Sequence, residues 1–206
     1  MNNYYISAII LAAGSSLRMK GKNKLLEKVR YKTMIESIFL QTISSKVDDV
    51  TVVVGFESDK ILDNLKSYLH KTNVNIIKNK NFIKGLGASL SVGVNSLPKK
   101  TTGVLVVLAD MPKINTYVIN KLIEKFKDND ANKICIPIYK GIRGNPVLLD
   151  RSVLKQITSL EDDIGAKEII KNNKNIIEVN FENDSILFDI DTSEDLRIFN
   201  HLDTSN

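Results

Sequence analysis

The sequence has little of the chemistry on which many enzymes depend. Its 206 residues include one cysteine, two histidines and no tryptophan. Because Cys135 has no second cysteine to pair with, an internal disulfide is excluded, and we expect a reducing, cytoplasmic environment. With only His70 and His201, both in helical contexts, we expect neither a zinc site nor a histidine-based catalytic triad.

Long apolar runs and blocks of basic residues are lacking as well. No run is long enough to cross a bilayer and no leader pattern is recognisable, so we expect no membrane association. The net charge is +5, but the lysines are spread along the chain, so we expect a polyanionic small substrate and no nucleic acid. The 43% hydrophobic content suits one α/β domain spanning 1–206.

What is present is an alternation of strands and helices. Apolar runs predict strands at 6–11, 50–55, 74–77, 103–109, 134–138 and 186–190. Helical spacing of apolar residues predicts helices at 33–45, 58–70 and 114–126, with another ending near 95. This order favours a doubly wound, mostly parallel sheet with helices on both faces.

The first predicted strand leads into a loop of small residues followed by cations. Positions 12–16 read Ala-Ala-Gly-Ser-Ser, and Arg18, Lys20, Lys22 and Lys24 come next. Small side chains expose backbone N–H groups, and the cations can neutralise phosphate oxygens. The pattern indicates polyphosphate binding, although a glycine turn with a solvated basic loop would look the same. It is neither of the two common phosphate motifs, GxxxxGK[ST] and GxGxxG.

Carboxylates follow two other predicted strands. Asp110 ends the most apolar strand, and Pro112 turns the chain away there. A carboxylate in that place is stable if it is paired, holds a metal ion, or caps the next helix. In an extended strand Asp189 and Asp191 would face the same side, so both could point at one cation.

A glycine-rich turn at 84–90 opens the helix that ends near 95. Gly85 and Gly87 would let the backbone approach a flat ligand, and Ser89 offers a hydroxyl group in the first turn. An ordinary loop with a helix cap would have the same composition.

Together these segments resemble the nucleotidyltransferases that attach a nucleotide to the molybdenum cofactor, most closely the cytidylyltransferase branch. The resemblance extends from Ile6 to Leu196, and its motifs keep the order of that family. In this chain they read Leu11-Ala12-Ala13-Gly14, Arg18-Met19, Lys24-Leu25-Leu26, Gly85 with Ser89-Leu90, Asp110-Met111-Pro112, Gly144-Asn145-Pro146, Asp163-Ile164-Gly165-Ala166-Lys167 and Asp189-Ile190-Asp191-Thr192-Ser193-Glu194-Asp195-Leu196.

The resemblance implies a single-domain, Rossmann-like nucleotidyltransferase fold of the GT-A type. Its nucleotide-binding part would span about 6–112 and its acceptor side about 113–196. The implied reaction transfers CMP from CTP to the phosphate of the molybdenum cofactor (molybdopterin) and releases pyrophosphate. LAAG, in place of the LAGG of the guanylyl branch, is associated with CTP. A molybdenum hydroxylase of the xanthine dehydrogenase family, or its chaperone, is the implied protein partner.

The same resemblance implies a role for each matching residue. Catalysis would use Arg18, Lys24 and Asp110, and Mg²⁺ would be held by Asp110 and Asp191, the latter chosen over Asp189. The nucleotide would be bound by Leu11, Ala12, Ala13, Gly14, Ser15, Arg18, Lys24, Gly85 and Ser89. The acceptor would be bound by Gly144, Asn145, Pro146, Asp163 and Gly165.

The chain departs from the family pattern at four positions. Lys20 intervenes where the family reads Arg-Met-Gly, Lys167 replaces an arginine, and Ser193 stands where proline is usual. Asn145 replaces a histidine, which excludes a charged imidazole at that position.

Three alternatives therefore stay open. The first is a cytidylyl- or guanylyltransferase acting on another phosphorylated acceptor, such as methylerythritol phosphate or a sugar phosphate. The second is a non-catalytic protein that delivers the cofactor to a molybdenum hydroxylase. The third is a glycosyltransferase with a nucleotide-sugar donor, which would more typically carry D-x-D at a strand end.

Overall fold

A mixed sheet with helices on both faces forms the centre of the molecule. The computed structural model describes residues 4–19, 21–71, 73–129, 133–157, 170, 171, 173 and 175–202. The strands are β1 (Ile6–Ala12), β2 (Lys28–Val29), β3 (Lys32–Thr33), β4 (Asp49–Val54), β5 (Val74–Lys78), β6 (Gly103–Leu108), β7 (Ile134–Tyr139), β8 (Ile142–Arg143), β9 (Val147–Asp150) and β10 (Ile176–Asn180). The α-helices are α1 (Met34–Ile43), α2 (Ser58–Leu65), α3 (Leu86–Asn95), α4 (Thr116–Lys127), α5 (Arg151–Ile157) and α6 (Ser193–Leu202).

The main sheet has the strand order β10-β7-β9-β6-β1-β4-β5, and β8 pairs with β7. β1 is parallel to β4 and β6, β4 is parallel to β5, and β10 is parallel to β7. β9 runs antiparallel between β6 and β7, and β2 and β3 form a separate hairpin. The predicted mostly parallel α/β sheet is therefore confirmed, with two antiparallel strands, β8 and β9, that the sequence pattern did not predict.

Alternate residues of β1 supply the two hydrophobic cores. Ile6, Ala8 and Ile10 belong to the core beneath α1, α2, α4 and α6. Ile9 and Leu11 belong to the opposite core, to which α3 and α5 contribute. Because successive side chains of a strand point to opposite faces, a continuous apolar run is required when both faces are covered.

The order of the strands places the loop after β1 beside Asp110. At their carboxyl ends, Ala12 pairs with Val54 of β4, and Leu11 pairs with Leu108 of β6. The chain leaves β1, β4 and β6 at this one edge, which is where open α/β sheets bind ligands.

The sequence left open whether Asp110 caps the helix that follows it, and the N-cap of α4 answers this question. Asn115 precedes α4, and its side-chain oxygen accepts a hydrogen bond from the N–H of Val118 at 3.1 Å. Asp110 is therefore not the N-cap of this helix, and its carboxylate needs another partner.

The strand predicted at 186–190 is wrong. Residues Asp184–Ile186 form a 3₁₀ turn, and the segment that follows has no strand assignment before α6 begins. Its backbone bonds instead to neighbouring loops: the N–H of Ile190 donates to the carbonyl of Asp110 at 2.9 Å, and the carbonyl of Ile186 accepts from Asn145.

Of the helices in the described part of the chain, none is both long and apolar enough to span a bilayer.

Candidate active site

A cavity of about 910 Å³ opens at the carboxyl ends of β1 and β6. Both the small-residue loop after β1 and the glycine-rich turn before α3 form its walls. The lining residues are Leu11, Ala13, Gly14, Ser15, Ser16, Leu17, Arg18, Gly21, Lys24, Leu25, Phe56, Phe82, Ile83, Gly85, Leu86, Ser89, Leu108, Asp110 and Asp191. The structure thus brings together most of the predicted nucleotide-binding residues. Ala12 is the exception, since its side chain lies in the core on the opposite face of the sheet.

The loop after β1 is folded by its own polar groups. Ser16 has a left-handed backbone (φ 51°), and its hydroxyl group accepts a hydrogen bond from the backbone N–H of Lys24 at 3.1 Å. Asn23 is buried and links two segments, accepting from Leu25 N–H and donating to the carbonyl of Phe56, both at 3.1 Å. These bonds fix the backbone from which the Lys24 side chain projects. Sequence reasoning missed Asn23, although an asparagine before a short helical turn is a recognisable cap.

Three carboxylates lie close together, and two of them, Asp110 and Asp191, form the floor of the cleft. One carboxylate oxygen each from Asp110, Asp189 and Asp191 lie within 4.8 Å of one another. Asp195 positions part of this cluster, since its carboxylate accepts hydrogen bonds from the backbone N–H groups of Asp191 and Thr192. The shared direction predicted for Asp189 and Asp191 therefore holds, although the segment is not a strand.

The two predicted phosphate-binding cations contact these carboxylates. Lys24 Nζ lies 2.8 Å from Asp110 Oδ2 and 2.7 Å from Asp191 Oδ1. The Arg18 guanidinium forms an ion pair with the other oxygen of Asp191. Loop cations and floor carboxylates thus form one network between segments that are distant in the sequence.

The cluster perturbs the protonation of its members. Burial alone would lower the pKa of Lys24, but the charges and hydrogen bonds of Asp110 and Asp191 raise that pKa above its usual value. Burial, followed by the charges of Asp110 and Asp191, raises the pKa of Asp189. The site holds more negative charge than its two cations neutralise, a condition that favours an added cation.

The donor set fits a hard divalent cation. Asp110 Oδ1 is buried and has no hydrogen-bond partner among the described residues, so it has a free acceptor site. Carboxylate oxygens are the ligands that Mg²⁺ and Mn²⁺ prefer. Asp189 joins the two predicted ligands in this cluster, and its proximity could not be read from the sequence because it depends on the loop conformation of the segment.

The glycine-rich turn forms the opposite wall. Gly85 has φ 97°, a conformation that L side chains rarely adopt. The Ser89 hydroxyl group is buried, 3.0 Å from Asn79 Nδ2 and 3.4 Å from the carbonyl oxygen of Gly85. Asn79 is buried as well and was missed by sequence reasoning, because a lone asparagine after β5 carries no motif.

Three of the residues predicted to bind the acceptor are among the described residues, and they lie outside the cleft lining. Gly144, Asn145 and Pro146 are not among the described residues that line the cleft. Asn145 N–H donates to the carbonyl of Ile186 at 2.9 Å, and a side chain on Gly144 would lie 2.2 Å from that oxygen. Gly144 and Asn145 therefore contact the start of the segment that carries Asp189 and Asp191. Acceptor binding by Gly144, Asn145 and Pro146 stays a prediction. Asp163, Gly165, Lys20 and Lys167 lie outside the described residues.

The fold and the site define a nucleotidyltransferase, and comparison with known proteins agrees. Residues 8–177 match the model of the MobA-like NTP transferase domain. Because this match covers most of the chain, the protein belongs to the MobA-like NTP transferase family.

Individual relatives align over most of the chain. The chain is 24% identical to the molybdenum cofactor cytidylyltransferase of Escherichia coli strain K12 over 190 residues, covering 92% of this chain and 93% of that protein. It is also 26% identical over 176 residues to the bifunctional protein GlmU of Staphylococcus carnosus strain TM300, covering 84% of this chain. The match spans 36% of that GlmU, so GlmU is much longer than the region the two proteins share.

Solved structures share the fold. Rv0371c of Mycobacterium tuberculosis H37Rv aligns with a TM-score of 0.83 at 22% identity, covering 98% of this chain and all of that one (100%). A nucleotidyl transferase from Methanothermobacter thermautotroptrophicus aligns with a TM-score of 0.82 at 22% identity, covering 99% and 100% of the two chains.

Proposed function

We propose that this protein transfers CMP from CTP to the phosphate group of the molybdenum cofactor and releases pyrophosphate. The observation that carries the proposal is the convergence of Arg18 and Lys24, from the loop that begins with LAAG, on Asp110 and Asp191 in one cleft. The E. coli relative that aligns over 92% of this chain is named a molybdenum cofactor cytidylyltransferase, which also supports the proposal.

The reaction requires little acid–base catalysis by the protein. A phosphate monoester has a second pKa of about 6, so the attacking oxygen is already charged near neutral pH. It attacks the α-phosphorus, the bond from the α-phosphorus to the bridging oxygen breaks, and that oxygen leaves with pyrophosphate. No general base is needed, which suits a site without histidine among its described lining residues.

The tasks left to the protein are alignment and neutralisation of charge. Arg18 and Lys24 hold phosphate oxygens of the nucleotide, while Leu11, Ala13, Gly14 and Ser15 offer backbone against which the triphosphate can lie. Asp110 and Asp191, with Asp189 beside them, hold Mg²⁺. The ion, when bound, supplies positive charge at the α-phosphate and at the departing pyrophosphate.

The base would lie in the remaining part of the cleft, and the acceptor would bind beside the cleft. Gly85 and Ser89 border the base, and Ala13 contributes to the choice of CTP over GTP. Gly144, Asn145 and Pro146, with Asp163 and Gly165, belong to the acceptor side. A molybdenum hydroxylase or its chaperone would receive the product in the cytoplasm.

Pyrophosphate release tests the proposal. Purified protein with Mg²⁺ is supplied with CTP, GTP, ATP or UTP, each with and without molybdopterin cofactor. Release of pyrophosphate from CTP only when the pterin is present supports both the proposed nucleotide and the proposed acceptor. Release with CTP and methylerythritol phosphate or a sugar phosphate, but not with the pterin, would replace the acceptor. Binding of CTP without release of pyrophosphate, whichever acceptor is present, would favour a delivery protein.

A further inference from the structure

Lys24 lies where the proposed metal ion would bind. Its ammonium group is hydrogen-bonded to Asp110 Oδ2 and Asp191 Oδ1, and only 13% of its side chain is exposed. Both partners are carboxylates that would hold the ion. In the structure, this lysine therefore already neutralises part of the charge that a divalent cation would neutralise.

The ammonium group and the metal ion would be held by the same two carboxylates. Arg18 contacts one of their four oxygens, Asp110 Oδ1 has no partner among the described residues, and Nζ contacts the other two. Nζ sits 2.7–2.8 Å from them, whereas Mg²⁺ binds carboxylate oxygens at about 2.1 Å and needs near-ideal octahedral geometry. Two cations held by these two carboxylates would lie within a few ångströms of each other and repel strongly in a partly buried site. A metal ion at these carboxylates would therefore bind more tightly once Nζ has moved away.

The structure provides a movable side chain on a fixed backbone. The Lys24 N–H is held by Ser16 Oγ and the adjacent Leu25 N–H by Asn23 Oδ1. The four-carbon stem of lysine can still swing. Lys24 and Gly14 line the same cavity, and a Cβ added to Gly14 would have no atom within 4 Å, so there is open space in that cavity. A nucleotide phosphate bound there would offer Nζ a new anionic partner.

We infer that Lys24 is an internal counter-ion that exchanges with the metal ion. Without nucleotide it occupies the carboxylates of Asp110 and Asp191 and keeps metal affinity low. Nucleotide phosphates draw the ammonium group away and free these carboxylates, so metal and nucleotide bind cooperatively. The inference rests on the proposed function only in assigning the anionic ligand as a nucleotide.

Mn²⁺ binding without nucleotide tests the exchange. We expect Lys24→Met to bind Mn²⁺ on the order of tenfold more tightly than the unsubstituted protein, measured by electron paramagnetic resonance of free Mn²⁺ after EDTA treatment. Adding Asp110→Asn to Lys24→Met should remove the gain, because the ion then loses one of its ligands. Mn²⁺ should also raise the Tm of Lys24→Met more than that of the unsubstituted protein, which provides a second readout if the variant is less stable.

Lys22→Met is the matched control. Lys22 lies in the same loop, its side chain is 73% exposed, and its nearest ion-pair partner is Glu27 at 3.8 Å. Its loss removes the same unit charge and should leave Mn²⁺ affinity within about twofold. Equal affinities of the unsubstituted protein and Lys24→Met, or an equal gain in Lys22→Met, would overturn the inference.

The two proposals can fail separately. The Mn²⁺ titration contains neither nucleotide nor pterin, so tighter binding by Lys24→Met would support the exchange even if CTP were never turned over. Conversely, CTP turnover by the unsubstituted protein with unchanged Mn²⁺ affinity in Lys24→Met would leave the proposed function intact and refute the exchange.

Discussion

Lys24 Nζ lies 2.8 Å from Asp110 Oδ2, although the two residues are 86 positions apart in the sequence. The contact joins the loop after β1 to the end of β6, two strands that are neighbours in the sheet. It places a cation expected to bind phosphate against a carboxylate expected to bind metal. The reacting groups of the proposed transfer would meet at this contact.

Asp110→Asn should reduce pyrophosphate release by about a thousandfold or more, because an amide is a weaker ligand for a divalent ion and leaves Lys24 with one carboxylate fewer. The fold should persist, as judged by circular dichroism. Asp184→Asn is the control, since Asp184 is exposed and pairs with Lys113 outside the cleft. Normal turnover of Asp110→Asn would refute the carboxylate model of the site.

Ala13→Gly should narrow the preference for CTP over GTP. Ala13 is buried at the cleft wall, and its carbonyl accepts a hydrogen bond from Phe56 N–H at 3.5 Å. Removing its methyl group gives the loop room to shift, so we expect the ratio of kcat/KM for CTP to that for GTP to fall by about tenfold. An unchanged ratio would move the choice of base to the wall formed by Gly85 and Ser89.

Gly144→Ala should destabilise the protein by about 2 kcal/mol or more. The new Cβ would lie 2.2 Å from the carbonyl oxygen of Ile186, so the segment leading to Asp189 and Asp191 must shift. Urea unfolding measures the loss. Gly14→Ala is the stability control, because its Cβ would have no atom within 4 Å, and its free energy of unfolding should stay within about 0.5 kcal/mol. Equal stability of the two variants would contradict the contact.

Asp49→Asn should stabilise the protein near neutral pH. Both oxygens of Asp49 are buried and no described residue makes a well-formed hydrogen bond to them. Burial raises the pKa of Asp49 and outweighs the lowering effect of the nearby Ser7 and Tyr5 hydroxyl groups. A raised pKa means that the folded state disfavours the charged form, so the cost is present above that pKa and disappears below the ordinary aspartate value of 3.8.

We therefore expect Asp49→Asn to gain about 1 kcal/mol at pH 7, with the gain shrinking as the pH approaches the pKa of the unfolded carboxyl group. Chemical unfolding at a series of pH values measures it. Asp48→Asn should give no gain, since Asp48 Oδ2 accepts a hydrogen bond from Ile6 N–H at 2.7 Å. A gain for Asp49→Asn that does not change with pH would rule out burial of the charged carboxylate as its cause.

The sequence was sufficient for features that depend on local pattern. The apolar runs that became β1, β4, β6 and β7 and the helical spacing behind α1 and α4 were recognisable because each is dictated by burial of its own residues. The order of motifs also identified the loop after β1 and the two carboxylate segments. The loop after β1 and Asp110 reached one cleft because β1 and β6 are parallel neighbours that end at a common edge. The segment of Asp191 reached it through a backbone hydrogen bond from Ile190 to Asp110.

Features that depend on contacts between distant segments could not be predicted from the sequence. β9 lies between β6 and β7 and runs antiparallel to both, a placement that depends on residues distant in the sequence. The segment after Ile186 bonds to Asp110 and Asn145 in place of forming a strand. The pairing of Lys24 with Asp110 and Asp191, and the nearness of Asp189, needed the assembled fold.

The most direct test of nucleotidyl transfer follows the fate of the two ends of CTP. Protein, Mg²⁺ and molybdopterin are incubated with CTP labelled with ³²P at either the α- or the γ-phosphate. Transfer of CMP predicts that the α label appears in a pterin product and the γ label in pyrophosphate. Release of the γ label as inorganic phosphate, or an α label that never leaves the free nucleotide pool, would contradict it.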